Sequence, residues 1–240
     1  YSNYVDNAYL PLTYMVYPTV PRFHRDEAAL DVLAGMMGQG NNSIFYKKFV
    51  KTEKAAVAEA SNSSSELSGE FSIAVLSFPD YDAMNISPNE DEKDRRLKIH
   101  QSVVDNLNEV EKKIHEAFDE FEATGITDSA LQRVKGVREA SLIGSITTVS
   151  EKAFLLSQWN MFAGKTYNLP DALDSYSKIT KEDIVRVFNK YIKGKNAAIV
   201  NVYPKDPTSR DSVKVESMNP AKNLKLVDDP QYTSLTYVKA

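Results

Sequence analysis

The segment spanning residues 22–77 constrains the fold of this chain most, because its pattern predicts four elements in succession. The first is a helix over residues 25–37, where Leu30, Leu33, Ala34 and Met37 stand at the i, i+3, i+4 and i+7 positions of one face. Gly38 and Gly40 follow, and glycine readily adopts the positive φ angles that end helices. The segment therefore begins with a buried helix closed by a glycine-rich turn.

The second half of this segment predicts a short helix and a hairpin. Ser43 is a plausible N-cap for a helix over 44–51, because its hydroxyl can accept a hydrogen bond from an early backbone N–H group. Residues 55–61 and 70–78 have the composition of strands, and the polar residues between them predict a hairpin.

The two ends of the chain differ from this segment in composition. Residues 1–8 are interpreted as a connector, and the aromatic and β-branched residues of 9–17 predict a strand that Pro18 ends. Residues 196–203 predict a closing strand. Residues 204–240 have little periodicity and are interpreted as an extended arm or a linker to a following domain.

The middle of the chain predicts helices. The longest covers residues 94–124, and Gly125 ends it. Thr127 begins a second helix, residues 150–162 form a third, and Thr180 begins a fourth with a pattern like a capping box. The longest helix carries one apolar stripe, made of Val103, Leu107, Val110, Ile114, Phe118 and Phe121.

Because helices and strands are grouped rather than alternating, residues 9–203 predict one α+β domain. We expect an antiparallel or mixed sheet with helices packed on one face.

Composition excludes several classes of function. The formal net charge of −4 and the pI near 5.5 argue against a nucleic-acid partner, which favours a basic surface. No apolar run is long enough to span a bilayer. The absence of cysteine excludes disulfides, thiol catalysis and cysteine–zinc sites, and it is compatible with the bacterial periplasm or cell envelope without establishing either. A chain that starts at Tyr1 is interpreted as part of something longer.

Four short motifs and the helix spacing between them resemble the C-terminal type of half in the insulinase/pitrilysin family of zinc metallopeptidases. The motifs are Asp26-x-x-Ala29-Leu30, Met37-Gly38-x-Gly40 followed by Ser43, Gly125-Ile-Thr127, and Ile179-Thr180-x-Glu182-Asp183. Members of the family resemble clamshells of paired α+β halves, of which one holds zinc and the other closes the substrate chamber. The resemblance implies that this chain is a non-catalytic half.

The zinc motif of that family, H-x-x-E-H, is absent from the sequence. The nearest match is His24 with Glu27, but Ala28 stands where the second histidine is required. A polar helix start, with acidic residues complementing the helix dipole, explains this pair better. His100 and His115 are interpreted as packing or surface residues. We therefore predict no catalytic residue and no metal ligand in this chain.

Alignment on the glycine turn places the family's motif at residues 30–34, which read Leu, Asp, Val, Leu and Ala and suit a core. In active members of the family, the C-terminal half often carries an arginine and, seven residues later, a tyrosine. The resemblance implies that these two positions face the substrate. Counted from Ser43, the matching positions are Val50 and Val57, neither of which can donate a hydrogen bond. The resemblance thus identifies substrate-facing positions whose signature is lost.

Three functions remain open. The first is a non-catalytic half that walls a substrate chamber and binds peptide for a zinc-bearing half, on the same polypeptide or on a separate subunit. In this case zinc is expected in the partner half and no cofactor in this chain. The second is a peptide-binding scaffold or core subunit without any link to proteolysis. The third is an autonomous enzyme of unknown chemistry.

Overall fold

The computed structural model describes residues 1–6, 8, 10–78, 91–164 and 169–204. The described residues belong to one compact unit, Tyr1–Ser209. The strands are β1 Ser2–Asp6, β2 Leu12–Thr19, β3 Ala55–Ser64, β4 Gly69–Ser77 and β5 Ala198–Pro204. The helices are α1 Glu27–Gly38, α2 Glu92–Thr124, α3 Asp128–Gly144, α4 Val149–Gln158, α5 Leu169–Ser177 and α6 Lys181–Tyr191, with π-helical segments at Tyr46–Val50 and Trp159–Ala163. The arm expected over 204–240 lies, beyond its first residue, outside the described residues.

One mixed sheet contains the five described strands, in the order β1-β5-β2-β4-β3. β1 pairs with β5 in parallel, and the other neighbours are antiparallel. Side chains alternate between the two faces, so Met15 and Tyr17 are buried under the helices while Tyr14 and Val16 are only half-buried on the other face. The predicted α+β class is confirmed.

The prediction of a connector over residues 1–8 is wrong for most of that segment, because Ser2–Asp6 is strand β1. Its register places Asn3 beside Asn201 and Tyr4 beside Val202 of β5. A five-residue strand of mixed polarity has no pattern of its own. Only its pairing with a strand from the far end of the described chain makes it extended.

Strand β2 continues through Pro18 to Thr19, where the sequence predicted a break. β5 flanks β2 only over Leu12–Val16, so Pro18 lies beyond that pairing and opposite Glu70 of β4 alone. A sheet tolerates a residue without an N–H group where one of its two sides is unpaired.

Helix α2 buries the predicted apolar stripe, with each of its six members at most 6% exposed. About its last four turns pack in the main core, which includes Ile114 and Phe118. Nearer the N-terminus, Val103 and Leu107 form a separate small cluster with Tyr203 of β5. One helix thus covers two hydrophobic clusters.

The predicted caps are confirmed. The Ser43 hydroxyl accepts from Tyr46 N at 3.3 Å, Thr127 caps α3, and Thr180 forms a capping box with Asp183 at α6.

The predicted helix over 150–162 begins as α4 and ends as the π-helical segment Trp159–Ala163, and α5 was not predicted. Among the described residues, no helix is both long and apolar enough to cross a membrane.

The sheet face opposite the helices carries an apolar row across all five strands. The pairings place Val57 next to Leu76, Leu76 next to Leu12, Leu12 next to Val202, and Val202 next to Tyr4. Four of these side chains are half-buried, and Tyr4 is 46% exposed. We call this set the apolar row.

Candidate functional site

Helix α1 occupies the position at which the resemblance places the zinc motif. The residues at the three ligand and base positions are Leu30, Leu33 and Ala34, and each is 0% exposed. Ten of the twelve residues of α1 are buried, so the helix is surrounded by the core on nearly every side. Aliphatic side chains offer no electron pair to a metal, and here they also exclude water.

The near-match, His24 with Glu27, is used for local backbone contacts. His24 Nδ1 accepts from Asp26 N at 3.0 Å, and the Glu27 carboxylate accepts from the backbone N–H of Phe23. Burial raises the pKa of Glu27, and the Phe23 N–H opposes that shift. Across the residues the structure describes, no three histidine or acidic side chains are grouped in a way that could hold a metal ion.

The other two histidines lie on α2. His115 is exposed, and its ring forms a T-shaped pair with that of Phe118 at a centroid distance of 5.7 Å. His100 lies within α2, and its side chain is outside the described residues.

A buried carboxylate joins the start of α1 to α6. Asp26 is 0% exposed and accepts from Arg186 Nη1 at 2.7 Å, Lys190 Nζ at 3.0 Å and the Tyr191 hydroxyl at 2.7 Å. Burial favours the protonated form, but these hydrogen bonds outweigh it and hold the pKa of Asp26 well below its usual range. We call these four residues the Asp26 cluster.

A second carboxylate lies one turn further along α1. Asp31 accepts from Asn62 Nδ2 of β3 at 2.9 Å and from the Tyr176 hydroxyl of α5 at 2.6 Å. Its backbone oxygen accepts from Arg138 Nη2 of α3 at 3.0 Å. Burial raises the pKa of Asp31, and the hydrogen bonds from Tyr176 and Asn62 oppose the shift only in part. We call these four residues the Asp31 cluster.

Neither cluster is arranged for catalysis. A general base needs a pKa near the operating pH and a free lone pair directed at substrate. The carboxylate of Asp26 is held ionised by two cations. The carboxylate of Asp31 has the raised pKa often seen in active sites, but both of its oxygens are bound by neighbouring side chains. Both clusters therefore fix α1 against the elements around it.

Val50 and Val57 lie on neighbouring elements near the same edge of the domain. Val50 ends the π-helical segment Tyr46–Val50 and packs partly buried against the main core. Val57 follows a bulge in β3 and stands half-buried at one end of the apolar row. The structure thus places one of the two positions on the open face of the sheet and the other against the core.

The close contact of α1 with β3 depends on Gly38. A Cβ atom at this position would lie 1.9 Å from Ala60 N. The glycine predicted to end the helix therefore also lets α1 lie directly on the edge strand.

Sequence reasoning missed both carboxylate clusters. In the sequence, Asp26 is a residue of the motif that carries the family resemblance and an acidic residue in the first helical turn, and Asp31 belongs to a stretch that suits a core. One signal was available for Asp31, a lone acidic residue within an otherwise apolar stretch of helix. Its partners come from β3, α3 and α5, and no local pattern links those elements to it.

The fold and the site together define a class: a peptidase-like α+β domain whose motif positions are filled by core residues. Comparison with protein families agrees. The model described as the peptidase M16 inactive domain matches residues 3–137, more than half of the chain. The chain belongs to this family, which confirms the resemblance to the insulinase/pitrilysin peptidases. A comparison with curated proteins found no match.

Solved structures share the fold at low sequence identity. A protease from Helicobacter pylori superposes with a TM-score of 0.65 at 21% identity, over 84% of this chain and 44% of its own. A peptidase M16 inactive domain from Pseudomonas fluorescens gives 0.63 at 12%, over 85% and 43%. A chain of complex III2 from Candida albicans gives 0.61 at 9%, over 83% and 44%. This chain spans less than half the length of each.

Proposed function

We propose that this chain is the non-catalytic half of a zinc metallopeptidase, which walls the substrate chamber and binds peptide for a separate zinc-bearing half. The observation that carries the proposal is the burial of Leu30, Leu33 and Ala34 on α1. This helix cannot activate water for hydrolysis, so the chemistry belongs to a partner. Membership of the family of inactive domains supports the same role.

The proposed chamber wall is the open face of the sheet. The apolar row crosses all five strands there without a charged side chain, and its members are half-buried or exposed rather than covered by a helix. A surface of this kind receives apolar side chains of a peptide and excludes water from a closed chamber. The turn from Gly38 to Ser43 would contribute to the same contact surface, an extension that rests on family resemblance.

The zinc ion would be held by the partner half. Zinc bound there would lower the pKa of its water and supply the nucleophile. The role of this chain would be to position the peptide and to close the site, which raises the rate by orientation and by exclusion of water.

The test mixes this chain with a zinc-bearing half of the same family and follows a fluorogenic peptide. We expect no hydrolysis by this chain alone and a higher kcat/KM for the partner when the chain is present. Val57→Glu places a charge in the apolar row, so we expect it to reduce the gain in kcat/KM about tenfold. A factor of ten corresponds to about 1.4 kcal/mol. Val57→Ala should leave the gain unchanged, since it keeps the position apolar and uncharged.

The matched control is Val185→Glu, which places the same charge on α6, on the helix side of the sheet, at a residue already 43% exposed. This variant should keep the full gain. Equal losses from Val57→Glu and Val185→Glu would show that the open face has no special role, and hydrolysis by the chain alone that resists chelators would contradict the whole proposal.

A scaffold function is the second candidate. The similarity of this fold to a chain of complex III2 from Candida albicans supports it, because that chain is part of a complex. The two candidates differ in one result. A scaffold would form a stable complex with its partner while leaving every zinc-bearing half unchanged in kcat/KM.

A further inference from the structure

Three polar side chains buried on the core face of the sheet each have an oxygen atom without a hydrogen-bond partner, although Asn201 Nδ2 donates to Asn3 Oδ1 of β1 at 3.4 Å. Thr13 and Ser77 are 0% exposed, and Asn201 is 8% exposed. Thr13 Oγ1, Ser77 Oγ and Asn201 Oδ1 bind no other atom in the part of the chain that the structure describes. Buried polar groups in native proteins are nearly always satisfied, so these three require an explanation.

The sheet register brings the three side chains together. Thr13 of β2 stands directly opposite Asn201 of β5. Ser77 of β4 donates its backbone N–H to Pro11 O, two residues from Thr13, so it lies diagonally across from Thr13 on the same face. Directly opposite Cβ atoms lie about 4.5–5.5 Å apart, and diagonal ones about 7–8 Å. Thr13 lies between the other two, so a small ligand can bridge it to Asn201 on one side or to Ser77 on the other.

This polar group separates the two hydrophobic clusters. Along β5, Ile199 belongs to the main core and Tyr203 to the small cluster, with Asn201 between them. Along α2, Leu107 belongs to the small cluster and Val110 to the main core. The polar group therefore lies beneath α2, where the buried stripe passes from one cluster to the other.

We propose that Thr13, Asn201 and Ser77 bind at least one internal water molecule. Two hydroxyls and an amide oxygen carry no formal charge, so they suit a neutral ligand that both donates and accepts hydrogen bonds. Buried waters typically bind otherwise unsatisfied polar groups in this way. The water links β2, β4 and β5 beneath α2, and it sets the first part of that helix apart from the main core.

The first test asks whether removal of the Thr13 hydroxyl lowers or raises the Tm. Thr13→Val keeps the shape of the side chain and removes its hydroxyl. If the site holds water, the variant loses one anchor of that water and the Tm should fall by about 2–4 °C. If the hydroxyl is buried dry, its removal relieves an unpaired polar group and the Tm should rise. Thr13→Ser, which keeps the hydroxyl, controls for the change of residue.

The second test is a high-resolution crystal structure of the same chain. We expect density for a water within hydrogen-bond distance of Thr13 Oγ1 and Asn201 Oδ1, and its loss or displacement in Thr13→Val. A direct hydrogen bond between Thr13 and Asn201 with no water beside it would overturn the proposal. A rise in Tm for Thr13→Val would overturn it independently of any crystal.

Discussion

Two regions of this domain are held together by different forces. The sheet with α1, α2 and α6, which we call the body, is joined by buried apolar side chains, and α1 alone buries ten residues. Helices α3 to α5, which we call the helical arm, bury few, and α4 buries none. Among the described residues of the helical arm, Leu131 and Val134 of α3 are buried in the main core, and Tyr176 of α5 packs against it partly buried.

The helical arm is attached largely through directional polar contacts. Tyr176 and Arg138 bind Asp31 of α1, and Arg22 donates to Gln158 at the end of α4. Within the arm, the buried Lys135 of α3 donates to the backbone oxygen of Ser177 at the end of α5, and it also donates to that of Ile179 in the segment before α6. The stabilisation from buried apolar side chains does not depend on the pH, whereas the contribution of a hydrogen-bonded carboxylate does. The comparison therefore predicts different responses of the two regions to truncation and to pH.

The largest expected effect is a truncation in the body. Leu33→Ala removes a 0% exposed side chain from the centre of α1, and such substitutions cost about 2–5 kcal/mol because a cavity remains. The matched change in the helical arm, Leu155→Ala, affects a half-buried side chain and should cost less than about 1.5 kcal/mol. Urea denaturation with unchanged m-values measures both free energies of unfolding. Equal costs would remove the distinction between the two regions.

A smaller effect, with opposite signs, is expected from the pH dependence of the two carboxylates. The folded pKa of Asp26 lies below its usual value, so its stabilisation is complete at neutral pH and is lost as the pH falls below about 4. The folded pKa of Asp31 lies above its usual value, so ionised Asp31 carries a penalty at neutral pH. That penalty disappears as the pH falls through the folded pKa towards about 4.

Asp26→Asn and Asp31→Asn isolate these contributions. At neutral pH we expect Asp26→Asn to cost about 1–3 kcal/mol, since it removes a charge that three groups bind. The advantage of the unmodified chain over Asp26→Asn should shrink below about pH 4, while its advantage over Asp31→Asn should grow as the pH falls towards that value. Thermal unfolding from pH 3 to 7 gives both slopes, and two slopes of the same sign would contradict the assignment.

The smallest effect is local to the helical arm. Tyr176→Phe removes the hydroxyl that donates to Asp31 at 2.6 Å and should cost about 1–2 kcal/mol. We expect faster hydrogen exchange of the amides of α5, with the strands of the body unchanged. Lys178→Ala, which removes an exposed ion pair with Asp174 in the same helix, serves as the control and should cost less than 0.5 kcal/mol, as is typical of such pairs (about 0.3–0.5 kcal/mol). Uniform acceleration throughout the domain would show that the arm unfolds only with the body.

The elements with strong local signals were predictable from the sequence. The stripe of α2 repeats at helical spacing over five turns, and Ser43, Thr127 and Thr180 are side chains that cap helices by their own chemistry. The hairpin of β3 and β4 follows from two strand-like runs joined by polar residues. In each case the information lies within one element or its immediate neighbour.

The remaining features depend on contacts distant in sequence. β1 is extended only because β5 lies beside it, and Pro18 is tolerated in β2 only because β5 ends its pairing earlier. The role of Asp31 depends on three elements that come together only in the folded chain. These are the points at which tertiary structure overrides local pattern.

The burial of α1 makes a metal site on this helix difficult to create. Introducing the motif would place two histidines and a glutamate at positions 30, 33 and 34, all of which are 0% exposed. Each would need water, a metal or a partner in a core that provides none of them at these positions, and burying an unpaired polar group costs several kcal/mol. Three substitutions would therefore unfold the helix before they created a binding site. A metal site on this helix would first require neighbouring side chains to move and α1 to open to solvent.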